Sequence, residues 1–350
     1  MNTNSSLPTT TTRIVLPGLV EPDGLVVDLA APVGTPAAGE LLVAVEATGI
    51  SYAEQAMRRG RYFAQPPFPF TPGYDLVGTV LAAGTGADGG LVGRRVATLT
   101  KTGAWTGHAI VAARDSVVIP DGLAADLAEA VTVNGVTAWQ MLHRAARVEA
   151  GDTILVFGAN GGVGGLLIQM AQHAGVHVIA AASPRHHESL RARGVVPVDY
   201  ADPDLASTVR RSAPAGGLAA VFDNVGGETA RTSWSLLGRG GTLVSYAIIA
   251  AVSGTGSLWP PFLRHLGRIL TWNALPNGKR ATFYDLWAGH GTRGKSYRRR
   301  LDEDLTHVLE LVRDGVLTAN VAARFPLTDI SNALELAESR TLDGKVVLVP

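Results

Sequence analysis

The chain contains no cysteine. That absence excludes disulfides, thiolate nucleophiles and every cysteine-ligated zinc site. Net charge is lacking too, since 30 Lys and Arg balance 30 Asp and Glu. No overall field therefore draws the surface to nucleic acid or to a membrane. Long apolar runs are missing, each being broken by glycine, histidine or charge short of the ~20 residues that a bilayer span needs. There is no internal repeat. Residues 1–12, rich in Thr, Ser and Asn without an apolar core, read as a disordered leader and not as a signal peptide. What remains is a cytoplasmic chain of 350 residues, 46% hydrophobic, long enough for two domains, with a small molecule as its expected partner.

Glycine is abundant, and its most informative cluster is Ile154-Leu-Val-Phe-Gly-Ala-Asn-Gly-Gly-Val-Gly-Gly165. An apolar strand runs into a glycine turn and then into a helix whose apolar stripe is Val163, Leu166, Leu167, Met170, Ala171 and Ala174. Gly158, Gly161, Gly162 and Gly164 let the turn tighten and let a phosphate reach backbone N–H groups at the positive end of the helix. Further buried-strand patterns at Val176–Ala182, Ala219–Asp223 and Thr242–Tyr246 continue the strand-helix alternation. This is the context that a dinucleotide site requires.

The end of the second strand indicates which dinucleotide. An NAD site usually has a carboxylate there for the ribose 2′-hydroxyl. Here the chain reads Ala181-Ala-Ser-Pro-Arg-His-His187, with no acid before Glu188. A 2′-phosphate would meet Ser183, Arg185 and one histidine, which favours NADPH.

Before residue 120 the pattern is of short strands split by Pro and Gly: Arg13–Leu16, Leu25–Leu29, Leu41–Ala47, Leu76–Ala82, Arg95–Leu99 and Gly107–Val111, with one helix at Tyr52–Arg59. Asp121–Leu127 and Thr137–Val148 read as helices. The tail resumes with a helix over Leu301–Leu317, a strand over Val321–Phe325, a helix over Ile330–Ala337 and a strand over Lys345–Val349. The expected organisation is an α/β chain in which residues 13–127 and 271–350 form a β-rich domain. Residues 128–270 form a Rossmann domain with a doubly wound parallel sheet. The segment Ala250–Pro276 fits neither period and is expected to be a substrate-facing loop.

Six stretches in order carry a family resemblance: Gly49-Ile-Ser-Tyr-Ala-Glu54 with Gly60-Arg-Tyr62, Pro72-Gly-Tyr-Asp-Leu-Val-Gly-Thr-Val80, Val131–Ala138, Gly158–Gly164, Val198-Asp-Tyr200 and Gly344–Pro350. Over nearly its whole length the chain resembles the zinc-free quinone oxidoreductase and enoyl reductase branch of the medium-chain dehydrogenase/reductase superfamily. The resemblance implies a GroES-like catalytic domain joined to the Rossmann domain, NADPH as cofactor and a homodimer. Zinc-bearing members place ligands near Ser51 and Tyr74, neither of which offers a thiolate or imidazole. The positions that grip the adenosine phosphate correspond to Arg185 and Tyr200. Those near the nicotinamide correspond to Asn134, Thr137, Asn224, Val225 and Tyr246, with Val163 in the glycine turn and Lys345 in the closing motif completing the implied cofactor set.

Hydride transfer asks for orientation, dry walls and a proton for the carbon left electron-rich. Tyr62 resembles the tyrosine that enoyl reductases use as proton donor; packed beside Phe63 it would be only a wall. Tyr52 is a second candidate, for hydrogen-bonding a substrate oxygen. His108 reads as a satisfied histidine beside a turn. Lys295–Arg300 reads as a solvated helix start cancelled by Asp302, Glu303 and Asp304. Trp139, Trp259, Phe262 and Trp272 are either pocket lining or core, and as lining they suit an apolar or aromatic unsaturated carbonyl or a quinone.

Overall fold

The computed structural model describes residues 7–252, 254, 256–339 and 341–350, without the side chains of Ala250 and Ala251. In chain order the elements begin with β1 (Thr10–Val15), β2 (Val26–Pro32), β3 (Glu40–Ile50), α1 (Tyr52–Arg58), β4 (Asp75–Ala83), β5 (Arg95–Leu99), β6 (His108–Ala112), β7 (Ser116–Val118) and α2 (Ala125–Trp139). There follow β8 (Thr153–Phe157), α3 (Gly162–His173), β9 (His177–Ala182), α4 (His187–Ala192), β10 (Val196–Asp199), α5 (Leu205–Ser212), β11 (Leu218–Asp223), α6 (Glu228–Leu236) and β12 (Leu237–Ser245). The last are α7 (Ile249–Val252), α8 (Trp259–Asn273), β13 (Arg280–Phe283), α9 (Gly294–Arg313), β14 (Val321–Pro326), α10 (Ile330–Glu338) and β15 (Lys345–Val349).

Two compact units divide the chain: Met1–Val136 with Gly289–Pro350, and Thr137–Ala288. The first holds a seven-stranded sheet in the order β14-β15-β3-β4-β5-β7, with β6 also on β3, and a separate β1-β2 pair. Alternate residues of β3, Leu41, Val43 and Val45, pack on Leu76, Val80 and Val96. The last strand returns to this sheet, pairing antiparallel with β3 (Val346↔Ile50) and parallel with β14.

The second unit is an all-parallel sheet in the order β10-β9-β8-β11-β12-β13. This is the doubly wound 3-2-1-4-5-6 order. The chain leaves β8 on one side to reach β9 and comes back to β11 on the other, so the strand order reverses beside β8. Its core joins Leu155, Phe157, Ile179, Val221 and Leu243 to Leu205, Val209, Leu236 and Ile269 of the helices. The helix after the glycine turn buries Leu166, Leu167, Met170 and Ala171 of the expected stripe together with Ile168, while Val163 and Ala174 are half-buried.

Several expectations are corrected. Residues 10–12 belong to β1, paired with β2, so a leader extending to residue 12 is too long; residues 1–6 lie outside the described residues. The unit boundaries fall at 136/137 and 288/289 instead of 127/128 and 270/271, because β13 extends the parallel sheet beyond residue 270. The two helices expected around residues 121–148 are one α-helix continued by a π-helical stretch at Gln140–Ala146. β-Branched Val131, Thr132, Val133, Val136 and Thr137 lower helix propensity, but Ala128, Val131, Val136 and Ala138 are fully buried. Packing overrides propensity there. The expected loop at 250–276 is largely helix: Trp259-Pro-Pro places proline in the first turn, where it is tolerated, and α8 follows.

Candidate functional site

In the second unit Gly158 turns the chain out of β8 with φ +65°, and a Cβ there would stand 2.4 Å from Asn224 Nδ2. Gly164 is tighter, since its Cβ would lie 2.2 Å from the Gly158 carbonyl oxygen. Gly161 N–H donates to that carbonyl at 2.9 Å, and Gly165 N–H donates to Gly161 at 2.8 Å. Glycine is therefore demanded by contact as well as by dihedral angle. The result brings the first turn of α3, Gly162, Val163 and Gly164, to the end of β8. Its N–H groups have no preceding helical carbonyl.

The neighbouring strands carry the other predicted groups to this edge. Asp199 is in register with Ala182, so Tyr200 and Ser183 leave β10 and β9 at one level. Ser183 precedes the turn Pro184–His186, its backbone carbonyl accepting His186 N–H at 3.0 Å, and the turn bears an exposed Arg185. Tyr200 is 57% exposed, so its ring and hydroxyl are open to a ligand at this edge. Across β8, Asp223 is in register with Ser245. Asp223 Oδ1 accepts from Val225 N at 2.8 Å and Gly226 N at 3.0 Å, shaping the loop that holds Asn224 and Val225. Burial raises this carboxyl to about 6. Tyr246 N–H donates to the Asp223 carbonyl, and its hydroxyl donates to Phe157 O at 3.3 Å. Burial and the nearby Asp223 charge both push that phenol up, so it stays protonated. Asp223 Oδ2 and Ser245 Oγ are buried with no hydrogen-bond partner among the described residues. Unsatisfied polar atoms at a strand edge fit a polar ligand that completes them.

In the first unit Ser51 caps α1 in a capping box with Glu54. Glu54, 1% exposed, accepts Ser51 N–H at 2.9 Å, the Ser51 hydroxyl, and Tyr74 N–H at 2.7 Å. Burial raises its pKa, against the Ser51 hydrogen bond. Tyr74 is thereby fixed, and its hydroxyl lies 3.1 Å from that of half-buried Tyr62. Tyr52 is the first residue of α1, also half-buried. Asn134, near the end of this unit's part of α2, and Thr137, the first residue of the second unit, are both 9% exposed, Asn134 donating to Ala130 O at 3.5 Å.

Lys345 departs from expectation. Its ammonium is buried in the first unit, 3.1 Å from Asp75 Oδ2 and 2.5 Å from Glu129 Oε1. Desolvation would depress it, but Asp75 and Glu129 outweigh that and raise its pKa. Burial raises the pKa of Glu129 above its ordinary value, and the Lys345 charge opposes that shift. Asp75 Oδ2 also accepts the N–H of Val133 within α2, at 3.0 Å. This ion cluster ties β4, α2 and β15 together, and its charges are spent on one another, not on a nucleotide. Sequence reasoning missed it because Asp75, Glu129 and Lys345 have no local spacing in common.

His108 is satisfied as expected, with Nδ1 3.1 Å from Thr11 Oγ1. Lys295–Arg300 lies in α9 with Arg298–Asp302 and Arg299–Glu303 pairs one turn apart. Trp272 stacks on Trp234 at 5.1 Å against the second unit's core, so it is a packing residue. Phe262 meets Trp259 and Phe283 edge to face, and Trp259 is 56% exposed.

Fold and strand-edge geometry together define a two-unit oxidoreductase with a dinucleotide-binding half. Residues 37–155 match the alcohol dehydrogenase GroES-like domain family, and residues 190–348 the zinc-binding dehydrogenase family. The chain belongs to the medium-chain dehydrogenase/reductase superfamily. It is 27% identical over 325 residues to the synaptic vesicle membrane protein VAT-1 homolog of Rattus norvegicus, covering 90% of this chain and 78% of that one. Among solved structures, a mycobacterial protein complexed with NADPH is 28% identical with a TM-score of 0.80, over 97% of this chain and 100% of the other. The Escherichia coli quinone oxidoreductase complexed with NADPH is 25% identical with a TM-score of 0.82, over 97% and 100%. Despite the zinc in one family's description, the residues present do not fit that ion. Ser51 is bonded to Glu54 and Tyr74 to Tyr62, and no group of three or more His, Asp or Glu suited to a metal occurs among the described residues. Nor is any helix among them long and apolar enough to cross a membrane.

Proposed function

We propose that the chain is an NADPH-dependent reductase of an activated C=C bond, an enone or enoyl group on an apolar or aromatic substrate. The observation that carries the cofactor reading is the end of β9, where Ser183 and Arg185 stand in place of a carboxylate and Tyr200 leaves the adjacent strand at the same level. NADPH bound at other members of the superfamily supports it. When bound, NADPH supplies a hydride. The chain's part is to hold the pyrophosphate on the first turn of α3 and the 2′-phosphate on Ser183, Arg185 and Tyr200. Asn134, Thr137, Asn224, Val225 and Tyr246 orient the reacting end.

Saturating the bond leaves negative charge on the carbonyl oxygen after the β-carbon has gained hydride. Tyr52 donates a hydrogen bond to that oxygen. Tyr62 gives its proton to the α-carbon, completing the C–H pair, and Tyr74 holds the Tyr62 hydroxyl in place. A cytoplasmic homodimer, with a second copy along the outer strand β13, belongs to the same proposal.

Quinone reduction is the second reading, favoured by the Escherichia coli relative. Anaerobic NADPH consumption, with NADH as control, against 2-enones, enoyl thioesters and quinones separates the two. Turnover of enones or enoyl thioesters is expected. Turnover of quinones alone would replace C=C reduction with the second reading, and tight NADPH binding without any turnover would point to a non-catalytic NADPH-binding protein.

A further inference from the structure

The two histidines after Arg185 have opposite hydrogen-bonding roles. His187 Nε2 lies 3.1 Å from the Ala182 carbonyl oxygen, so it carries a proton and anchors α4 to the end of β9. His186 Nε2 lies 3.0 Å from Arg185 Nε and 3.2 Å from Asn160 Nδ2. An arginine Nε only donates, so His186 Nε2 is a lone pair and the ring proton sits on Nδ1. The Asn160 amide must then present its NH2 group. Asn160 itself belongs to the glycine turn, between Gly158 and Gly161, whose mutual hydrogen bond holds that turn closed.

Arg185 is exposed on the short turn that follows β9. Accepting its Nε–H fixes the plane in which all five guanidinium donors lie, which is what bidentate phosphate recognition requires. We infer that His186 is a positioning residue for cofactor selection: hung from Asn160 of the pyrophosphate turn, it orients Arg185 for the ribose 2′-phosphate. Preference for NADPH over NADH then depends on two loops, one of which never touches the discriminating group. The inference rests on NADPH being the cofactor.

The test is equilibrium binding of NADPH and NADH to the full chain by fluorescence titration, repeated with 2′,5′-ADP and 5′-AMP by calorimetry. His186→Ala should weaken NADPH and 2′,5′-ADP by about tenfold, the scale of one pre-organised charge-assisted contact, and Asn160→Ala, in the pyrophosphate turn itself, should lower the NADPH to NADH affinity ratio by a similar factor. For His186→Ala, NADH and 5′-AMP should stay within about twofold, which also certifies that this variant is folded. His186→Gln keeps an acceptor and should restore most of the preference, while His187→Ala should leave the NADPH to NADH ratio unchanged. Equal losses for all four ligands, or none, would overturn the inference, as would failure of His186→Gln to differ from His186→Ala. A wild-type chain without preference for NADPH, and an Arg185→Ala variant no different from it, would instead overturn the cofactor reading, and the inference with it.

Discussion

The buried ion cluster of the first unit and the strand-end edge of the second use polar groups in opposite ways. Around Lys345 the charges are enclosed and face one another: the ammonium lies against Asp75 and Glu129, and Asp75 also accepts a backbone N–H of α2, while Glu129 Oε2 has no hydrogen-bond partner among the described residues. At the ends of β9, β10, β11 and β12, Arg185 and Tyr200 face solvent and Asp223 Oδ2 and Ser245 Oγ lie buried without partners among the described residues. Oppositely charged groups enclosed together hold a fold in place, whereas polar groups at the strand ends are where an open α/β sheet can meet a ligand.

The contrast breaks most visibly at Lys345. Lys345→Met leaves Asp75 and Glu129 buried without a cation and should cost about 3–5 kcal/mol of stability in urea unfolding. The NADPH affinity of the folded variant should not move. A large loss of NADPH affinity with unchanged stability would return Lys345 to the cofactor set.

Tyr62 tests whether the first unit also holds a group in reserve. Tyr62→Phe should lower kcat for enone reduction by about 100-fold, or about 2.7 kcal/mol, as for a lost general acid. NADPH binding should be preserved. A variant with full activity makes Tyr62 a wall residue.

Asp223 sharpens the other side. Its folded value of about 6 lies above the ordinary carboxylate value, so the folded chain binds an extra proton between about pH 4 and 6. Stability from this group therefore increases as pH falls through that window, and the ionised form at neutral pH costs on the order of 3 kcal/mol. Glu54 and Glu129 are shifted in the same direction, so the measurement is a difference. Asp223→Asn should be more stable than wild type at pH 8 and lose that advantage at pH 4. Parallel stability-pH curves for the two proteins would refute the shift.

The smallest effect belongs to charges in open solvent. Arg299 and Glu303 pair at 3.7 Å, both more than half exposed, and Arg299→Ala should change the unfolding free energy by less than about 0.5 kcal/mol. A loss as large as that at Lys345 would dissolve the distinction between enclosed and solvated charge.

Much of the second unit was legible because its signals are local. The glycine turn, the stripe of α3 and the apolar runs of β9 and β11 each lie within a dozen residues, and the absence of an acid after β9 can be read directly. Expectation failed where packing competes with propensity. The β-branched run of α2 reads as a break yet is helical because its faces are buried, and the Trp-Pro-Pro segment reads as loop yet begins α8. β13 is four residues long and bears little hydrophobic pattern, so only its pairing with β12 reveals that the sheet extends past residue 270.

By itself the sequence determined the superfamily, the βαβ order, the glycine turn and the carboxylate-free end of β9, since each depends on residue type and short spacing. Tertiary structure alone decided that Lys345 closes an ion cluster with residues 216 and 270 positions away. It also decided that Tyr74 meets Tyr62, that Asp223 is left half-satisfied, and that Asn160 reaches His186. Burial and hydrogen-bond partnership are properties of neighbours in space, and no linear pattern encodes which distant residue will remove water from a side chain.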